Sequence, residues 1–120
     1  MYIIHESEIE SKDLPGRKHK MIVSPLHFGK SNNMCFGTAD FPPNSHAPEH
    51  VHEAEEEIIY FLTGYGEMFF NDKPEAIKKG SVACIPPHVK HSIKNDSNET
   101  MKLVYVFSPP VKQGSYDKKD

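Results

Sequence analysis

Turn residues recur along this 120-residue chain at intervals too short for long helices. Pro42-Pro43-Asn44, Thr63-Gly64, Asn71-Asp72-Lys73-Pro74, Lys79-Gly80, Pro86-Pro87 and Asn95-Asp96-Ser97-Asn98 all punctuate it. Gly and Asn reach positive φ cheaply, while Pro fixes φ and withholds an N–H, so each cluster ends an element. No segment keeps a helical apolar period over three turns. The runs between turns read instead as short strands: Tyr2–His5, Lys20–Pro25, Asn33–Phe41, a short strand around His50–His52, Glu57–Leu62, Gly66–Asn71, Ala76–Ile77, Ser81–Ile85, His91–Lys94 and Met101–Phe107. Glu6–Leu14 has room for one helical turn. Many short strands with frequent turns predict an all-β sandwich or barrel. The length fits one domain spanning 1–120, with a polar tail at 109–120 that frays.

Charge excludes some functions. With histidine neutral the net charge is −3, and Arg17 is the single arginine, whereas a nucleic-acid surface needs clustered Lys and Arg. No apolar run is long enough to span a bilayer, and the first ten residues lack the basic and apolar regions of a signal peptide. Cys35 and Cys84 match no metal or redox spacing. Together these features predict a cytoplasmic protein with two reduced thiols and no nucleic-acid or membrane partner.

Histidine is the compositional anomaly. The chain has eight, and His46, His50, His52, His88 and His91 fall in two short segments, a pattern that suggests metal. On a strand, residues i and i+2 share a face with Cα atoms ~6.5–7 Å apart, so His50 and His52 can converge on one ion. Such a pair alone fits two surface histidines equally well. A carboxylate would come from the next strand, where Glu53, Glu55, Glu56 and Glu57 compete. Glu57 is favoured because it opens the apolar run Ile58-Ile59-Tyr60-Phe61-Leu62 and shares a face with Ile59 and Phe61. His91 starts a strand after the turn Pro86-Pro87-His88-Val89-Lys90.

These residues carry a resemblance. Asn44 to Gly64 resembles the first cupin motif, G-x5-H-x-H-x3,4-E-x6-G, matched at His50, His52, Glu57 and Gly64. Gly80 to Asn95 resembles the second, G-x5-P-x-G-x2-H-x3-N, matched at Gly80, Pro86, His91 and Asn95. Asn44 and His88 stand where the motifs have glycine; both residue types tolerate positive φ better than most. The resemblance implies a double-stranded β-helix, the jelly-roll cupin barrel, with one divalent transition metal (Fe, Mn, Ni, Cu or Zn) on His50, His52, Glu57 and His91.

Three neutral imidazoles and one carboxylate around a dication leave a formal charge of about +1, and an octahedral ion keeps two further positions. That favours a small enolate, catechol, keto acid or hydroxy acid as substrate. A dioxygenase-type oxidation is preferred. A redox-neutral isomerase or lyase, or a non-catalytic ligand-binding or sensing cupin, is the alternative. No general base stands out beyond the ligands, and no catalytic residue is assigned.

Several other residues invite weighing. His46 fits the barrel mouth or a solvated loop. Tyr60, Tyr65, Phe69 and Phe70 fit core better than a substrate platform. Met34, Phe36, Thr38 and Asp40 share one strand face and Cys35, Gly37, Ala39 and Phe41 the other; if the first looks inward, Asp40 supports the ligands. His5, His19 and His27 match no ligand spacing. Ile3, Ile4, Met21, Ile22 and Val23 look exposed, which predicts a two-fold homodimer built from the N-terminal strands and one sheet face.

Overall fold

Alternation decides which side of each strand is buried. In the strand Met101–Ser108, the side chains of Met101, Leu103, Tyr105 and Phe107 are buried and those between them are not. A computed structural model of the chain describes residues 2–111 and contains nine strands: β1 (Lys12–Leu14), β2 (Arg17–Val23), β3 (Cys35–Phe41), β4 (Glu56–Phe61), β5 (Tyr65–Phe70), β6 (Lys73–Lys78), β7 (Val82–Ile85), β8 (His91–Asn95) and β9 (Met101–Ser108). They form a six-stranded sheet in the order β1-β2-β3-β9-β4-β7 and a three-stranded sheet in the order β6-β5-β8. All named strand pairs are antiparallel. The two sheets close as a jelly roll over a core whose largest fully buried side chains include Phe41, Phe61, Ile59, Met68, Ile85 and Met101.

The long third strand presents Cys35, Gly37 and Ala39 inward. Asp40 shares the opposite parity, so it does not support the ligands. Buried Asn95 ties the end of β8 to the far sheet: its amide donates to the carbonyls of Phe41 and Pro42, both at 3.0 Å, and of Glu99 at 2.8 Å. Its side-chain oxygen accepts from the Ser97 backbone N–H and hydroxyl. Asn44 and His88, at the two missing motif glycines, have φ of 59° and 72°, so the turn conformation survives the substitutions.

Three expectations are corrected. Tyr2–His5 is not a strand: Tyr2 and Ile3 are almost fully exposed, and without a partner ladder their apolar content does not hold an extended edge. His5 instead caps a single 3-10 turn, Glu6–Glu8. This turn is anchored on the outer face of the large sheet, where the Glu6 carbonyl accepts from Lys20 Nζ and its carboxylate pairs with Lys102. The segment around His50–His52 is no regular strand; single bridges join His46 to Lys94 and His50 to His91. Met21 and Ile22 are buried by their own chain rather than exposed. In the tail expected to fray, Val111 packs against the core, and residues 112–120 lie outside the described residues. Strand β1, missing from the sequence reading, has one buried side chain, Leu14, so it leaves no alternating signal.

Candidate metal centre

Each candidate ligand is placed by a local rule of chain geometry. In β4 the burial alternates, leaving Glu56 exposed and Glu57 buried. Glu57 lies between two neighbours in the sheet, opposite Ile85 of β7 and Phe107 of β9. His91 opens β8, and its backbone exchanges both hydrogen bonds with His50, at 2.9 and 3.0 Å. The His88 N–H donates to the His52 carbonyl at 2.7 Å, which locks the turn before His91 onto the His50–His52 segment. Val51, between the two histidines, points to solvent.

These constraints bring His50, His52, Glu57 and His91 together, with one potential ligand atom from each lying within 4.8 Å of the others. Glu57 Oε1 is 3.3 Å from His91 Nε2 and 3.7 Å from His52 Nε2. Two atoms bound ~2.1 Å from a common ion sit about 3.0 Å apart when cis and about 4.2 Å apart when trans, so small adjustments let all four reach one ion.

The protonation pattern suits ligation. His91 Nδ1 is 2.9 Å from the Val89 carbonyl; a carbonyl only accepts, so Nδ1 carries a proton and Nε2 is the nitrogen left to face the centre. His50 titrates at about 3, lowered by burial and then by the neighbouring His91 and His52. Burial also lowers His52, against the opposing pull of Glu57. Both rings are therefore neutral at pH 7, as ligation requires. His52 Nε2, Glu57 Oε1 and His91 Nε2 are buried with no hydrogen-bond partner. Buried polar atoms without partners are costly, and a shared cation satisfies all three. The four residues could hold one divalent metal.

The centre opens into a cavity of about 440 Å³. Two lining features escaped the sequence reading. Arg17 and His19 both line it, and the His19 Nε2 hydrogen-bonds the hydroxyl of Tyr105, another lining residue. His19 has no ligand spacing, yet its i+2 relation to Arg17 and Met21 marks a shared face once the strand is known to start at Arg17. A Cβ at Gly37 would collide with the Tyr105 hydroxyl, so this glycine makes room for the pair. Tyr60 and Tyr65 are exposed. Neither they nor Phe69 and Phe70 line the cavity, whose aromatic walls are Phe41, Tyr105 and Phe107. His46 lies against Phe69, ring centroids 6.3 Å apart, away from the cavity.

The chain is similar to known proteins. A family model described as a cupin domain matches residues 37–107, more than half of the chain. The chain belongs to the cupin family. An uncharacterized protein of Methanocaldococcus jannaschii is 36% identical over 81 residues, 68% of this chain and 65% of that protein, so the chain spans just under two thirds of this relative. Acireductone dioxygenase 4 of Oryza sativa subsp. japonica is 38% identical over 64 residues, 49% of this chain and 34% of its own. Among solved structures, a predicted oxalate decarboxylase from Thermotoga maritima superposes with a TM-score of 0.79 at 26% identity, covering 89% of this chain and 98% of that one. Among the described residues no helix is long and apolar enough to cross a membrane.

Proposed function

We propose that this cupin is a metal-dependent enzyme acting on a small oxygen-bearing substrate: an enolate, catechol, keto acid or hydroxy acid. The observation that carries the reading is the convergence of three partnerless buried polar atoms, on His52, Glu57 and His91, beside a ligand-sized cavity. His50, His52, Glu57 and His91 would hold one Fe, Mn, Ni, Cu or Zn ion. A bound ion supplies Lewis acidity or a site for O₂. The chain's own part is to fix four neutral or anionic donors, exclude bulk water with Phe41, Phe107 and Ile59, and orient the substrate against the His19–Tyr105 wall. Dioxygenase-type oxidation is the preferred reaction, in keeping with the partial likeness to an acireductone dioxygenase.

A redox-neutral isomerase or lyase is the second reading, and a specific observation favours it. The hydrogen-bonded His19–Tyr105 pair lines the cavity and offers a proton donor and acceptor where the sequence suggested none beyond the ligands. An oxygen-uptake screen of metal-loaded protein against catechols, enolisable ketones, keto acids and hydroxy acids tests both readings. Uptake with one class supports the dioxygenase. Turnover without uptake supports the redox-neutral reaction. No turnover by fully loaded protein leaves a binding cupin and overturns the enzyme reading.

The protein is further proposed to work as a cytoplasmic homodimer. Its free thiols, Cys35 and Cys84, suit a reducing compartment. The outer face of the large sheet carries partly exposed Phe36, Ile58, Tyr60 and Val82, with Ile58 and Tyr60 in register with Val106 and Val104 of β9. A contiguous apolar face of this kind suits burial against a second copy.

A further inference from the structure

Three of the four candidate ligands are oriented by hydrogen bonds or by the sheet, and the fourth is not. His91 Nδ1 is held by the Val89 carbonyl at 2.9 Å, and His50 Nδ1 lies 3.4 Å from the Pro48 carbonyl. Glu57 projects from β4 between two paired neighbours, β7 and β9. His52 has only its backbone tied, where its carbonyl accepts from the His88 N–H at 2.7 Å. Its Nε2 has no hydrogen-bond partner, and its Nδ1 has none among the described residues. Its side chain is 18% exposed, against 1% for His91. The last torsion of a histidine side chain is broad and roughly two-fold, so an unsecured ring turns easily and carries Nε2 away from the centre.

What the His52 ring does meet is Phe107. Their centroids are 4.6 Å apart and their planes at 72°, a T-shaped contact at the close end of the usual aromatic range. The other rings near it, His50 and His91, are candidate ligands themselves. Phe107 is a firm support. It is buried in β9, paired with Cys35 of β3 on one side and with Glu57 of β4 on the other. It also packs edge-on against Tyr105 at 5.1 Å. The same register sets Phe107 beside Glu57, whose Oε1 lies 3.7 Å from His52 Nε2. One phenyl ring thus packs on one ligand and neighbours another in the sheet, and at this separation it obstructs rotation of the imidazole.

Ligating histidines are usually fixed by a hydrogen bond at the other ring nitrogen. The geometry points to Phe107 as a positioning residue that holds His52 in its ligating orientation by ring packing instead. The inference rests on the metal-dependent reading above and adds the residue through which the sheet controls the fourth ligand. Phe107 gives nothing to the ion itself; it acts through His52.

The test is zinc affinity of the full chain, measured by competition with a chromophoric chelator, together with the visible spectrum of Co(II)-loaded protein. Phe107→Leu removes the ring and keeps an apolar side chain. It is expected to weaken zinc binding about fivefold or more, the scale of an aromatic pair, and to move the Co(II) spectrum toward that of His52→Ala. In the His52→Ala background the same substitution should change zinc affinity by less than about twofold, because the group it acts through is gone. Phe41→Leu is the packing control. Phe41 is at least as deeply buried on the same cavity wall and makes no ring contact with a candidate ligand among the described residues, so it should keep the native affinity and spectrum. Phe107→Met, which fills more of the space without a ring, repeats the measurement if the leucine variant does not fold. Native affinity and spectrum in a folded ringless variant, an equal loss in Phe41→Leu, or an undiminished loss in the His52→Ala background overturns the role of Phe107 and leaves the metal reading standing. A native chain that takes up neither Zn(II) nor Co(II) overturns both.

Discussion

Glu57→Gln should stabilise the metal-free protein and shrink the stabilisation that zinc adds. Without metal, Glu57 Oε1, His91 Nε2 and His52 Nε2 are three buried polar atoms facing one another without partners, with the carboxylate oxygen 3.3 Å from the His91 nitrogen. Each buried polar atom left without a partner costs roughly 1–3 kcal/mol. The glutamine amide can turn an N–H toward His91 and satisfy one of these atoms while replacing another. The variant in EDTA should therefore be more stable by about 1–2 kcal/mol, or roughly 4 °C in Tm for each kcal/mol in a domain of this size. With zinc this gain is offset. Loss of the anionic donor should weaken binding by about tenfold or more, so the zinc-induced increase in Tm shrinks by the equivalent of about 1.4 kcal/mol or more. Paired calorimetric scans in EDTA and in excess Zn(II) read both quantities. Glu55→Gln and Glu56→Gln serve as controls and should leave both nearly unchanged, since Glu56 points outward. A Glu57→Gln protein that is destabilised in EDTA yet keeps the full zinc increment would refute this reasoning. A lost increment in Glu56→Gln alone would shift the ligand register by one residue.

Acid should destabilise the metal-free protein through the buried histidines. His50 takes up its proton near pH 6.5 when unfolded but only at about 3 when folded, so the unfolded state binds more protons in between and stability falls as pH drops across that window. The loss due to His50 is roughly 3 kcal/mol at pH 4; urea midpoints of EDTA-treated protein at pH 7, 5.5 and 4 measure it, and His50→Gln should lose correspondingly less. In light scattering at low micromolar concentration the mass should be that of a dimer, and Ile58→Lys on the outer sheet face should halve it; a monomer mass for the intact chain would remove the assembly proposal.

The candidate ligand cluster was legible because its signals are local. His50 and His52 announce themselves by spacing, and Glu57 is selected over Glu56 by the alternation of the strand it enters, which the structure reproduces. The turns at Asn44 and His88 were readable for the same reason, since their positive φ is a property of one residue. What the sequence did not disclose depends on partners far along the chain. His19 meets Tyr105 across 86 positions, and nothing near His19 marks it as a cavity residue. Which face of β3 looks inward was undecidable by alternation alone, because both faces carry apolar residues; only its pairing with β2 and β9 settles it. The N-terminal residues misled because Ile3 and Ile4 look like strand, yet strand formation requires a neighbour that these residues lack.

Metal analysis of protein purified without a chelating column, native beside His50→Ala/His52→Ala, tests the central claim most directly. The native chain should carry about one divalent ion, while the double variant should retain the strand-rich circular dichroism of the barrel and lose the metal on dialysis. A folded double variant that still holds a stoichiometric ion after dialysis would contradict the assignment of the centre.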